Sequence, residues 1–436
     1  MKRKFRVLAA LVILVSSGQL LSAQETPAQA ISNITIHNTD GSVTESATIV
    51  WRDGIIEAIG TNVTVPFDAY VTDANNEMHL YPGFIDGFTT WGSPSQPRDP
   101  EDPSSPGEAP YNLAGVQPER IPSQHLEADK NFEAAMKAGF TTAALGLEGY
   151  MVSGQVEVFT LSPDQVKEGL FTNSIGIHGS YQRARGRVYP STQMGIMAKF
   201  RQVMYDAEAL QTHIQYQSGN PEMPAPERNE VLEAMFPLLN KSQPLFFTVD
   251  DKEDIERLFL YQDEFGFDIV IVSGKEAYAK ADELKERNIP VLASIDISEA
   301  PEWYAAKNDT SKKEDMEEVT EEEQLFRDRQ LEAWMAEAKN IKMLLDAGVM
   351  VGYSSHGMEL KDASKAIKAL LDEGGLTEED LVKLMTTNTA RILGIQQSFG
   401  SLETGKNASF TVFDKPFTEE KAKAVYSVSN GTTYEF

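Results

Sequence analysis

The sequence predicts an α/β chain: a (β/α)8 barrel beside a small β domain that both termini build. Three observations carry this reading. Short β-branched runs with tight-turn signals cluster at the two ends. Between them, eight short apolar runs alternate with helix-favouring stretches, the pattern of βα units and a parallel sheet. The length, 436 residues, exceeds what one small core needs and suits a large barrel with an accessory domain.

Taken in chain order, residues 1–23 read as a secretion signal. Lys2, Arg3, Lys4 and Arg6 precede an apolar run from Val7 to Val15, and Leu21-Ser22-Ala23 puts a small residue at the cut. The run is too short to span a bilayer, so we expect cleavage, export to a periplasmic or extracellular space and no stable membrane anchor. The chain has no cysteine, which excludes disulfides, thiolate metal sites and a lipid on sulfur. Its net charge of −27 argues against nucleic acid or an anionic membrane as partner, because both are polyanions.

The β domain is expected over 24–79 and 395–436, with the barrel over 80–394. Ile31–Ile36, Ser46–Trp51 and Ile55–Gly60 are strands with a hairpin turn at Asp53-Gly54. Gly400–Leu402, Ala408–Phe413 and Val425–Val428 give the C-terminal end the same character, with turns at Thr404-Gly405 and Asn430-Gly431. The barrel strands are expected at Leu80–Ile85, Thr141–Gly146, Val156–Leu161, Ser174–Ile177, Leu245–Val249, Asp268–Val272, Val291–Ile295 and Val349–Tyr353. The site should lie at their C-terminal ends. Two segments interrupt the pattern: residues 93–124, rich in Pro and Ser, and residues 299–340, with a largely acidic run over Lys312–Glu323. We read the second as a solvated helical insertion, with a lid or partner surface as the alternative.

Several segments resemble the amidohydrolase superfamily, most closely its imidazolonepropionase-like and prolidase-like secreted members. They are Arg52-Asp53-Gly54-Ile55-Ile56-Glu57-Ala58-Ile59-Gly60, Tyr81-Pro82-Gly83-Phe84-Ile85-Asp86, Ala138-Gly139-Phe140-Thr141-Thr142, Pro190–Gly195, Thr387–Gly394 and Gly400–Ala408. They occur in the family's order and span about residues 30 to 430. The resemblance implies a metal-centred TIM barrel beside a β-sandwich formed by both termini, and hydrolysis of carbon–nitrogen bonds. In such an enzyme a divalent metal, usually zinc, lowers the pKa of bound water to about 7.

At the positions that hold the metal in the family, this sequence carries other residues. The His-x-His pair of the first strand aligns with Phe88 and Thr90, and the histidine of the fifth with Thr248. Phenylalanine has no lone pair to give, and a neutral hydroxyl is a poor zinc ligand. Lys275 stands near the sixth-strand position. His356, or Ser355, stands where the eighth strand places an aspartate. Glu157 is a weak counterpart of the bridging carboxylate. We therefore expect no bound metal and no other cofactor, and a Phe88 ring packed where the metal would sit.

Of His37, His79, His125, His178, His213 and His356, only His178 and His356 end a predicted barrel strand. Asp86, Asp250, Asp251, Lys275 and His356 are expected to meet at the barrel mouth. His356, Lys275 and Asp250 are the candidate catalytic residues of a metal-free acid–base site, with an ion-pair cluster as the bland alternative. Arg183, Arg185 and Arg187 read as local charge balance, or else as a clamp for a carboxylate. The sequence shows no dinucleotide fingerprint, P-loop or nucleophile-elbow motif. The expected function is a catalytically degenerate relative that binds a small-molecule ligand or serves an active paralogue as partner subunit, with self-association expected. The alternative is an active hydrolase of non-peptide or dipeptide-like carbon–nitrogen bonds with a rebuilt site.

Overall fold

The computed structural model describes residues 26–97, 102–164, 166–304 and 319–436. The expected secretion signal lies outside the described residues. Two eight-stranded sheets organise the chain. It opens with β1 (Gln29–His37), β2 (Val43–Arg52), β3 (Ile55–Gly60), β4 (Tyr70–Asp73) and β5 (His79–Pro82). The second sheet follows as β6 (Phe84–Thr89), β7 (Phe140–Leu145), β8 (Val152–Thr160), β9 (Leu170–Ser180), β10 (Leu245–Val249), β11 (Ile269–Ser273), β12 (Val291–Ser294) and β13 (Val351–Ser354). Then β14 (Phe410–Phe413), β15 (Ala424–Ser429) and β16 (Thr432–Glu435) return to the first sheet, where β14 pairs with β5.

Both termini thus build one sheet, ordered β16-β15-β14-β5-β1-β2-β3 with β4 also on β1. Its alternating side chains converge on one core. Ala47, Ile49 and Trp51 of β2 meet Phe410, Val412, Tyr426 and Val428 from the other end of the chain. The hairpin turns are those the sequence announces. Asp53 and Gly54 have φ of 50° and 80°, and Asn430 and Gly431 have 47° and 84°, which the paired positive φ of such turns requires. Gly400–Leu402 is not a strand: Gly400 sits at φ 92°, which ends extended backbone there.

The second sheet runs β6 to β13 in chain order. Seven of its eight strands were placed by their apolar runs; two details differ from expectation. The run Leu80–Ile85 is not one strand, because the chain changes sheets at Gly83 between β5 and β6. The third strand is reversed: β8 pairs antiparallel with both β7 and β9, while the remaining neighbours are parallel. Only residues 146–151 link β7 to β8, too few for a crossover helix, so the pair forms a hairpin. The N-terminal end of β8 therefore meets the C-terminal ends of its neighbours.

Both faces of this sheet are covered. Ile85, Phe88, Ala144, Val156, Val158, Phe246, Val272 and Leu292 fill its inner side. Leu145, Phe159, Phe247 and Ile271 face helices such as Gln193–Gly219 and Lys252–Phe265. Within the 299–340 segment, Glu321–Ala338 is a helix that buries only Trp334 and Ala338, as a solvated insertion would. Much of the acidic run lies outside the described residues. No helix among the described residues is long and apolar enough to cross a membrane.

No backbone ladder joins β13 to β6. Side chains occupy that edge instead. Residues Leu384–Asn388 form a π-helical turn, and this wider turn lets the Thr389 hydroxyl donate to Leu384 O (2.7 Å) while accepting from Tyr353 N (2.9 Å). Asn388 Nδ2 donates to Val351 O at 2.9 Å. Across the seam, Ser354 Oγ donates to Phe88 O at 2.7 Å, and Asp86 Oδ1 accepts from Ser355 N at 3.2 Å. The strands come close because position 87 is glycine; a Cβ there would stand 2.6 Å from Tyr353 O. Asn388→Ala strands a buried carbonyl, so it should lower unfolding free energy by about 1–3 kcal/mol in urea titrations. A loss below about 0.5 kcal/mol would show that the seam does not depend on this bond.

Candidate functional site

At the C-terminal ends of the parallel strands lies a cavity of about 400 Å³. His178 lies near the C-terminal end of β9 and Thr248 belongs to β10; both line the cavity together with Thr90, Ser180, His356 and Gly357. His178 is buried, and each of its ring nitrogens is engaged. Nδ1 lies 2.6 Å from Ser153 Oγ and Nε2 2.8 Å from Thr248 Oγ1. Burial, reinforced by the neighbouring His356, holds its pKa well below the ordinary imidazole value, so this histidine is neutral.

Phe88 is wholly buried and forms the floor. Its ring centroid lies 4.3 Å from that of His178 and 5.4 Å from that of His356, and it packs on the backbone of Gly146. His356 is half-buried, its ring inclined at 65° to that of Phe88. Burial lowers its pKa, and the charge of Asp250 opposes that shift.

Asp250 and Lys275 do not line this cavity. They line a second one of about 440 Å³ with Asp251, Glu276 and Trp334. Lys275 Nζ pairs with Asp296 Oδ2 at 2.8 Å, and Asp250 Oδ1 accepts from Lys275 N at 3.4 Å. Asp250 reaches His356 through its field; no hydrogen bond joins them among the described residues. Of the expected mouth cluster, His356 is thus placed with His178 and Thr248, while Asp250, Asp251 and Lys275 form a neighbouring group. Arg185 lines the mouth cavity; Arg183 and Arg187 do not.

Asp86 is fully buried below the mouth. Its Oδ1 accepts from the N–H groups of Phe88 and Ser355, and its Oδ2 has no hydrogen-bond partner. Burial pushes its pKa up to about 7, against the opposing pull of Ser355 and the Phe88 N–H. Glu157 points away from the cavity. It lies between the inward-facing Val156 and Val158 and accepts from Ser123 N at 2.7 Å, so it serves a neighbouring helical turn. Ser153 escaped the sequence reading because it sits at the start of a strand. Only the reversal of β8 brings it to the mouth.

Residues 335–434 match the sequence model of the amidohydrolase family. Over almost the whole chain the fold is that of an amidohydrolase from Thermotoga maritima MSB8, at 22% identity, with 94% of this chain and 100% of that one covered and a TM-score of 0.74. The fold is that of an amidohydrolase, and the family's sequence model covers the C-terminal part of the chain. Two further solved structures share the amidohydrolase fold at lower similarity. One is a prolidase complexed with N-methylphosphonate-L-proline, at 14% identity and TM-score 0.54, covering 94% of this chain and 99% of that one. The other is a Xaa-Pro dipeptidase with methionine bound in its active site, at 15% identity and TM-score 0.51, covering 94% and 100%. No curated protein matches the chain by sequence.

The donor set at the mouth does not fit the metal that the amidohydrolase fold implies. Phe88 offers no lone pair, and its ring packs against both His178 and His356, whose own centroids lie 6.2 Å apart. Both nitrogens of His178 are already bonded, one of them to Thr248. Among the described residues no three acidic or histidine side chains are grouped so as to hold a metal ion.

Proposed function

We propose that this protein is a member of the amidohydrolase superfamily that is exported and binds a small molecule at the barrel mouth without metal-dependent hydrolysis, alone or as partner subunit of an active relative. In this reading the second sheet is a (β/α)8 barrel closed by side chains at its seam, and the first sheet is the composite β-sandwich. One observation carries the proposal: the Phe88 ring and the Ser153–His178–Thr248 chain occupy the place and the lone pairs that a metal would need. A second reading, hydrolysis by a rebuilt site, is favoured by His356. Its ring lines the cavity and makes no side-chain hydrogen bond among the described residues.

One preparation tests both readings. Protein purified without chelators and reloaded with zinc or manganese is expected to hold far less than one equivalent. Its melting temperature should not rise, since a true site stabilises the fold by mass action. Stoichiometric metal with turnover of amides, lactams or dipeptides would overturn the first reading. Metal-free turnover that disappears in His356→Ala would establish the second.

A further inference from the structure

A group of titratable side chains outside the mouth cavity joins the first sheet to the helix that leads to the seam. His37 ends β1 and His79 begins β5, and His37 Nε2 lies 2.9 Å from His79 Nδ1. On its other side, His37 Nδ1 lies 3.4 Å from Glu378 Oε1, and the His37 ring stacks on the buried Tyr81 at a centroid distance of 4.2 Å. Glu378 is the first residue of helix Glu378–Lys383. It also accepts from Tyr81 Oη (2.8 Å) and, from the segment after β14, Thr418 Oγ1 (2.9 Å). The helix runs directly into the π-helical turn Leu384–Asn388, so the element that starts at Glu378 ends at the Asn388 and Thr389 bonds to β13.

The 2.9 Å contact limits the protons that the two rings can hold. One hydrogen fits between the facing nitrogens, and the nitrogen that does not carry it must offer a lone pair. With a proton on both, two N–H groups point at each other and the contact is lost. The charges acting on His79 are those of His37, Glu419 and Glu378. On the helix, Lys383 is paired with Glu379, and Asp380 is bonded to the Thr377 cap. We propose that His37, His79, Glu378 and Tyr81 form a pH-sensitive clasp that holds the helix to the first sheet at neutral pH and opens on acidification, loosening the seam that the helix braces.

Burial, then the charge of His37, lowers the pKa of His79 against the pull of Glu419 and Glu378, whereas a ring released to solvent ionises near the ordinary 6.5. Above that value neither state takes the extra proton. As pH falls through it, the open state binds the proton first and closure weakens. The His37 ring, with the Tyr81 and Thr418 hydroxyls, holds the Glu378 carboxyl down to about 2 against burial, so Glu378 stays ionised throughout this window.

Hydrogen exchange on the full chain, corrected for intrinsic rates, reads the clasp at the amides of Leu381, Leu384 and Tyr353, which donate to Thr377 O, Asp380 O and Thr389 Oγ1. From pH 7 to pH 5 their local opening should rise about tenfold or more, the gain that one imidazole of ordinary pKa supplies. His79→Gln keeps an acceptor for His37 and takes no second proton, so its opening should stay flat. Glu378→Gln keeps an oxygen for Tyr81 and Thr418 but removes the charge that offsets a proton on either ring, so it should open at a higher pH than the wild type. Comparing each variant with the wild type at the same pH cancels the contribution of Asp86, which all of them share. Wild-type protection unchanged at pH 5 overturns the proposal, as does a His79→Gln variant that opens with acid as the wild type does.

Discussion

Replacing Phe88 with alanine is expected to lower the free energy of unfolding by about 3–5 kcal/mol, the range for removing a large buried aromatic side chain. The ring is fully buried and packs against His178, His356 and Phe246 and on the backbone of Gly146. Its removal leaves a hole beneath two neutral histidines and opens the His178–Thr248 bond to water. Phe88→Leu retains most of the volume and should cost under about 1.5 kcal/mol. The comparison is read from chemical denaturation, with the histidine ring signals followed by NMR. His178 should titrate closer to an ordinary imidazole in the alanine variant only. If both variants cost less than about 1 kcal/mol, the mouth is not packed around this ring.

Asp86→Asn should change the pH dependence of stability. The unfolded carboxyl ionises near 3.8, whereas in the folded protein burial holds it up to about 7. Below pH 4 the group is neutral in both states and imposes no penalty. Between pH 4 and 7 the unfolded chain releases its proton and the folded chain keeps it, so stability falls as pH rises. Above 7 the loss is complete, at about 4 kcal/mol from the linkage relation. Asparagine keeps an oxygen for the Phe88 and Ser355 N–H groups and has no charge to bury. The wild type should therefore lose stability relative to Asp86→Asn from pH 4 to pH 7, and the gap should level off above it. A difference in unfolding free energy that stays flat with pH would show that Asp86 ionises as freely folded as unfolded.

The sequence announced the elements whose signals are local. Asp53-Gly54 and Asn430-Gly431 mark turns by their own conformational needs, and Leu245–Val249 or Val291–Ile295 are too apolar to be anything but buried strands. Strand direction has no such signal. Val152–Thr160 would read the same in either sense, so neither the reversal of β8 nor the place of Ser153 at the mouth was legible. The change of sheet at Gly83 was hidden for a similar reason, because both halves of Leu80–Ile85 are equally apolar. At Phe88, Thr90 and Thr248 the sequence showed an aromatic ring and two neutral hydroxyls at the strand ends. The separation of His356 from Asp250 and Lys275 depends on how neighbouring loops divide the mouth into two cavities, which spacing along a strand does not encode.

The reversed strand bears on what binding would cost. In a regular unit the loop after a strand leads away to a helix and is held at one end by the sheet. Here residues 146–151 are held at both ends by neighbouring strands of one ladder, and the Glu148 carbonyl is pinned by two side chains as well. Leu147, Glu148, Gly149 and Tyr150, which form one wall of the mouth, are therefore already ordered in the free protein. A guest would lose its own freedom on arrival, but this wall would have little left to lose. That is the entropic condition under which a small cavity can still discriminate.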